Sequence, residues 1–438
     1  TRERPDNYLL DGMPPGQRLA ADDLGWSARL TRNGAAATVV ALVALAVLAL
    51  ATLPTTLLLL RAFPDLGWGI ARTVGLIAVG YIVWIGASLG VSRFTLPWII
   101  AAVAITAFAA WSGLRAHLPA LMHEVRAHWP VIVASEVAFL VGFGFFLLLR
   151  SLNPDLWHTY WGGEKPMEMA YISAIGRSAT FPPYDPWFAG GVMNYYYYGF
   201  YLVALLWKLT GVPPEIGFQL AAATLAGLVT AGAFSLSAAL CSRVLRLERP
   251  RTIVGCGVVG TLLLVGIGNL DALGQILTTG SLRVDYWQSS RVVDYAITEF
   301  PYFSLLWADV HPHLLALPVT LLLLALLYAW LLRPPDTRGG AWPWLWSGAV
   351  ALTGGSIAVI NSWDLPLTVL FTGAVLATAA LRGKRSPGRS VVLAVLHTVA
   401  LVAIARWLFE PFFSRFVVLV GGVARTTEGT PPLRSEEH

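Results

Sequence analysis

The chain has 438 residues, of which 56% are apolar and only 13% charged, and its net charge is +5. Soluble domains carry about a quarter charged residues, and a chain this long with a mean hydropathy of +0.64 cannot hide its apolar surface in one soluble core. The small positive balance forms no basic stripe, which excludes a nucleic-acid partner, and two cysteines, Cys241 and Cys256, give neither a disulfide framework nor a CxxC metal pattern. What remains is an all-α, polytopic membrane protein.

Residues 1–33 are polar and read as an arm or linker. Apolar runs near the roughly 20 residues that a bilayer demands then follow. They are Ala35–Leu60, Ile70–Gly90, Pro97–Trp111, Val131–Leu149, Ile216–Leu240, Ile253–Ile267, Val310–Leu332, Trp342–Ile360, Pro366–Leu381 and Val391–Leu408, about ten spans. The first three fall in an N-terminal group, 34–129, and the rest in a larger module, 130–425. The polar tail, 426–438, breaks off abruptly, so the sequence is expected to be a piece of a longer chain. Eighteen Trp and fourteen Tyr suit interfacial belts.

Arginine and lysine in short loops set the orientation. Arg115 and Arg126, then Arg243, Arg246, Arg249 and Arg251, then Arg382, Lys384, Arg385 and Arg389 mark three cytoplasmic loops. An even number of spans must separate them. That holds if the apolar stretch Tyr195–Trp207 does not cross, so it is expected to lie flat at the outer interface. Two long outer loops result, about 150–215 and about 268–309, and loops carry function more often than packed helices do.

In the first loop, Gly162-Gly163 ends a turn and Pro166 fits the first turn of a helix. Glu164 and Glu168 then share a face. Such a pair suits a general base or a cation site; it equally suits a charged helix N-terminus. Beyond Arg177, the turn-rich Phe181-Pro-Pro-Tyr-Asp-Pro-Trp-Phe-Ala-Gly-Gly and Asn194-Tyr-Tyr-Tyr-Tyr-Gly follow, with Asp185, Asn194, Tyr195, Tyr196 and Tyr197 as candidate contacts to a sugar or lipid. Composition alone favours a plain aromatic belt there. The second loop carries Arg283, Arg291 and Glu299 and ends in Asp309, His311 and His313, where a span enters the bilayer. Ionisable groups in such a place need a reason: the three could hold a divalent metal or grip a phosphate, although Pro312 starts a helix and the side chains need not converge. Trp363 and Asp364 sit at a later outer turn.

These motifs carry a resemblance. Pro154-Asp-Leu-Trp-His, Gly162-Gly-Glu-Lys-Pro-Met-Glu, the Phe181 and Asn194 segments, Gly268-Asn-Leu-Asp, Ser290-Arg-Val, Glu299-Phe-Pro, Ala308-Asp-Val-His-Pro-His and Asn361-Ser-Trp-Asp occur in order. They resemble the "YYY" membrane proteins of Chloroflexi and archaea, the DUF2298 family of unknown function. Phe63-Pro-Asp-Leu-Gly-Trp-Gly is similar to that family's N-terminal part, and the resemblance runs from about Leu45 to the end.

More distantly, the layout of 130–425 resembles the GT-C membrane glycosyltransferases, which have an acidic outer loop, a juxtamembrane aromatic helix and a second acid at a later helix end. That resemblance implies transfer of a sugar from a polyprenyl-phosphate donor to an acceptor outside the cytoplasm, by a multi-pass protein of the cell membrane. It implies Glu164, helped by Glu168, as the base and Asp309 as its support or a metal ligand. Lys165, Arg177, Arg291, His311 or His313 would then neutralise the lipid phosphate. One departure is that the usual first-loop Asp is replaced here by Gly163-Glu164-Lys165. A transporter, a non-catalytic assembly protein and a metal-dependent hydrolase or phosphotransferase are the alternatives; few mid-span charges and no inverted repeat count against transport.

Overall fold

A computed structural model describes residues 23–112, 118–158, 163–188, 190–293, 296–333, 340–383 and 386–417. Most of the polar arm, Arg115, Lys384, Arg385 and the tail 426–438 lie outside the described residues. In chain order, α1 (Ala28–Thr31), α2 (Gly34–Leu60), α3 (Trp68–Ser88) and α4 (Leu96–Ser112) lead to the long α5 (Leu118–Leu152). The short α6 (Lys165–Arg177) and α7 (Tyr197–Thr210) precede a hairpin of α8 (Pro214–Val244) and α9 (Pro250–Thr261), and α9 runs on as a π-helical turn over Leu262–Ile267. Three short helices, α10 (Asp271–Thr279), α11 (Tyr286–Ser289) and α12 (Pro301–Trp307), cross the second loop. Then come α13 (Pro312–Leu332), α14 (Trp342–Ile360), α15 (Leu365–Leu381), α16 (Pro387–Leu408) and α17 (Glu410–Phe413).

Among the described residues, nine helices are long and apolar enough to cross a membrane, and α4 is a shorter apolar tenth. Each coincides with an apolar run of the sequence, because only a helix satisfies its own backbone in lipid. Burial sorts them. The spanning windows of α3, α8 and α13 are 72%, 78% and 67% buried, whereas those of α9, α15 and α16 are 17% buried. The first three form the centre and the others face outward. Small residues let the central helices close up: a Cβ on Gly75 of α3 would lie 2.2 Å from the Leu48 carbonyl oxygen of α2.

α7 departs from expectation in one respect. At 14 residues it is too short to cross, as expected, but it does not lie on a surface. Tyr197, Tyr198, Phe200 and Tyr201 are buried against α2, α3, α4, α6, α13 and α14. Tyr198 packs on Trp84 and Phe409, and Tyr201 packs on Phe94. A helix apolar on every face goes to the core. Its one cation, Lys208, is fully buried and pairs with Asp23 of the arm, and Trp26 Nε1 donates to the Lys208 carbonyl at 2.8 Å.

The α5–α6 and α9–α13 connections and the α14–α15 turn gather at one end of the bundle. The opposite end carries Arg61, Arg243, Arg333 and Arg382 at the termini of α2, α8, α13 and α15.

Candidate functional site

The site forms where α6 begins and α12 turns into α13. Gly163, just before α6, takes a left-handed φ of +62°. A Cβ there would lie 2.5 Å from Asp309 Oδ2 and 2.7 Å from Trp307 Nε1, so this backbone approaches the α12–α13 turn as only glycine can. α12 ends on Ala308 in the left-handed region, and α13 starts at Pro312 with His311 as its N-cap.

The side chains of Asp309, His311 and His313 leave this turn for three different partners. Asp309 Oδ1 pairs with Lys165 Nζ at 3.2 Å, and Asp309 Oδ2 lies 3.5 Å from the Glu164 backbone nitrogen, which donates to it. His311 Nδ1 lies 2.9 Å from Glu164 Oε2 and 3.3 Å from Glu168 Oε1. His313 Nε2 lies 3.2 Å from Glu299 Oε2 and 3.1 Å from Ser304 Oγ. The alternative of simple helix capping is not what the Glu164 side chain does. It makes no cap hydrogen bond and reaches across to α13.

Glu168 is fully buried, and its Oε2 accepts from the Val310 backbone at 2.7 Å. Lys165 is buried with its amine 5.4 Å from the Trp307 ring centroid. Glu164 is the accessible member, its side chain 55% exposed. Charge follows this gradient. Burial pushes the Glu168 carboxyl up to about 7, although His311 opposes the shift. Burial also raises Asp309 despite Lys165 beside it. The hydrogen bond with His311 holds Glu164 below the usual carboxylate range. For His311, burial works against the charge, but its hydrogen bonds to Glu164 and Glu168 win and push it to about 10. Burial would raise Glu299, but His313, Ser304 and the Arg291 charge together outweigh it and hold the carboxyl low. Near neutral pH the site therefore presents the ionised, accessible Glu164 carboxylate beside the His311 imidazolium and the buried Lys165.

The remaining candidates divide. Tyr195 is half-buried, 5.5 Å from Tyr171 between ring centroids, and within reach of the Glu164 charge. Arg291 stacks 4.3 Å over Trp287, and its charge acts on Glu299. Asp364 accepts from Asn361 at 3.1 Å and feels His313, while Trp363 is 82% exposed. These border the site. Arg177, exposed at the far end of α6, lies about 18 Å along the helix from Lys165 and does not join it. Asp185 organises its own turn by accepting from the Trp187 backbone at 2.8 Å. Asn194 clamps Val417 with two backbone hydrogen bonds of 2.9 Å. Tyr196 packs on Phe416, and Tyr197 takes a hydrogen bond from Trp84 at 3.3 Å inside the core.

Sequence reasoning missed Arg150. It is buried in the last turn of α5, bonded to Gln219 at 2.6 Å, with its charge acting on Asp309. The signal was a lone cation at the end of a span. For a metal, the geometry selects a different trio from Asp309, His311 and His313. Ligand atoms of Glu164, Glu168 and His311 all lie within 4.8 Å of one another, whereas Asp309 and His313 are taken by Lys165 and Glu299.

Beside the site runs an apolar groove of about 600 Å³ between α5, α8, α9 and the π-helical turn, closed at one end by Tyr302 of α12.

A helical bundle of membrane-spanning length with a buried charged site at one end defines a multi-pass membrane protein. The chain belongs to the DUF2298 family, described as "Uncharacterized membrane protein", whose model matches residues 78–434. The match begins inside α3, later than the motif resemblance. No curated protein and no solved structure matches the chain significantly.

Proposed function

We propose that this protein is a membrane-embedded glycosyltransferase that moves a sugar from a polyprenyl-phosphate donor to an acceptor on the extracytoplasmic side. The observation that carries this reading is the pairing of an accessible carboxylate, Glu164, with two cations, Lys165 and His311, at the end of the bundle. The orientation rests on the arginines at the other end, since cytoplasmic loops are arginine-rich.

In the reaction, the acceptor oxygen bonds to the anomeric carbon while the bond from that carbon to the phosphate oxygen breaks. The electron pair leaves with the polyprenyl phosphate. Lys165 and His311 meet that developing charge, and stabilisation of this kind is usually the largest catalytic contribution. Glu164 holds the acceptor hydroxyl and takes its proton as the new bond forms. Its lowered pKa suits orientation first and proton uptake late in that step. Glu168 and Asp309 position His311 and Lys165. In Glu164→Gln, transfer from a labelled polyprenyl-phosphate sugar is expected to fall by about 100-fold or more in a protein that still folds. Full activity in that variant removes Glu164 from the base role.

A second reading has one observation in its favour, the convergence of Glu164, Glu168 and His311. Two carboxylates and an imidazole suit a divalent cation, which would supply Lewis-acid stabilisation to a phosphate. Metal content that falls to background in His311→Ala is the expected signature.

A further inference from the structure

The apolar groove has features that a gap between helices does not need. From Pro130 to Phe146 it follows α5 for about 24 Å, most of a hydrocarbon core that is about 30 Å thick. Among the described residues, no charged one lines it. Its two threonines are satisfied internally: Thr230 Oγ1 donates to the Ala226 or Ala138 carbonyl, and Thr261 Oγ1 to the Gly257 carbonyl at 2.9 Å. Val137, Val141, Val258 and Leu262 on its walls are 46–63% exposed, so the groove opens sideways. The wall near the site is the π-helical turn, a feature often found at functional positions.

One end is different. Tyr302, which closes the groove, belongs to α12, the same short helix whose Ser304 contacts His313 and whose Trp307 lies against Lys165. Five residues separate Tyr302 from Trp307, about 8 Å along the helix. A ligand lying in the groove thus has its end within reach of the charged site.

We infer that this groove holds the hydrocarbon chain of the phosphate-linked donor, with the phosphate seated at Lys165 and His311. The inference rests on the lipid-linked donor of the proposed function. The groove walls are apolar along the length of α5, with a hydroxyl only at the Tyr302 end, which suits a hydrocarbon chain; the cations at its end select an anionic head. Chain and head together set the donor's position, so the sugar bond arrives beside Glu164.

The test is binding of polyprenyl phosphate and of the matching polyprenol to the full chain in phospholipid nanodiscs. Val141→Trp and Val137→Trp fill the groove from its open side without disturbing packed neighbours; Val395→Trp places the same bulk on the outer face of α16, where Val395 is 55% exposed. Both groove variants are expected to weaken binding of both lipids about tenfold or more, with Val395→Trp unchanged. Lys165→Gln is expected to weaken only the phosphate. Affinities within about twofold of wild type in both groove variants, or equal displacement by bulk phospholipid, overturn the inference. The two readings fail separately. Groove-sensitive binding with no sugar transfer from any donor keeps the groove and removes the transferase. Transfer that is indifferent to Val141→Trp does the reverse.

Discussion

Glu168 is a carboxyl with no access to solvent, and its proton is the most consequential one in the site. Facing it are His311, Asp309 and the Val310 N–H. Its pKa in the folded chain, about 7, exceeds the roughly 4.3 of an unfolded glutamate. The folded state therefore binds the proton more tightly, and this contribution to stability is full below the unfolded value and lost as pH rises through about 7. His311 also has a raised pKa, and its contribution is full below the roughly 6.5 of an unfolded histidine and lost from there to about 10. Thermal stability should thus begin to decline between about pH 5 and 6.5, where Glu168 acts without His311, and Glu168→Gln should flatten that part of the decline. An unchanged decline in the variant, followed by Tm across the pH series, contradicts the assignment. The residue types of the site were legible in the sequence, because ionisable groups beside apolar spans stand out. Their partners were not. Glu168 and His311 are 143 positions apart, and nothing in the spacing of either motif records which residue of the other loop it meets.

At the level of elements, α3, α5 and α8 are locked together by one buried group. Asp65 accepts four hydrogen bonds, from the Gly67 and Gly69 backbone at 3.0 and 3.1 Å and from the Ser135 and Ser235 hydroxyls at 2.9 Å each. Two hold the start of α3, and the other two come from α5 and α8. Asp65→Asn keeps the shape but turns one acceptor oxygen into a donor, which should cost about 2–3 kcal/mol. A Tm shift near zero would mean that the three helices hold without it. The ten long elements could be read from the sequence because lipid imposes both their length and their composition. α7 could only be half read. An apolar surface on every side states that water is excluded, but not whether lipid or protein excludes it, and here protein does. The short helices of the second loop were unreadable for another reason: α10, α11 and α12 are four to nine residues long and owe their form to tertiary contacts.

For the whole molecule, the decisive asymmetry is between its two ends. Glu164, Lys165, Asp309, His311 and Trp363 gather at one, and Arg61, Arg243, Arg333 and Arg382 at the other. If the arginine end is cytoplasmic, a cysteine at Trp363 in a chain with Cys241 and Cys256 replaced by serine reacts with an impermeant thiol reagent on intact cells. A cysteine at Arg246 reacts only after permeabilisation. The opposite pattern would invert the molecule and put the site in the cytoplasm. The same asymmetry explains how a chain with few charges inside its spans can still carry chemistry. Its charged groups sit where the bilayer ends, and the apolar groove connects them to the interior.

The most direct test of the account is saturable binding of a panel of polyprenyl-phosphate sugars to the full chain in lipid, wild type against Glu164→Gln and Asp309→Asn. The account predicts selective binding of one donor, weakened by Asp309→Asn as the Lys165 pair is disturbed, with Glu164→Gln retaining the donor but not turning it over. No binding to any donor by a folded protein would contradict it and leave the charged end of the bundle without a lipid-linked sugar to act on.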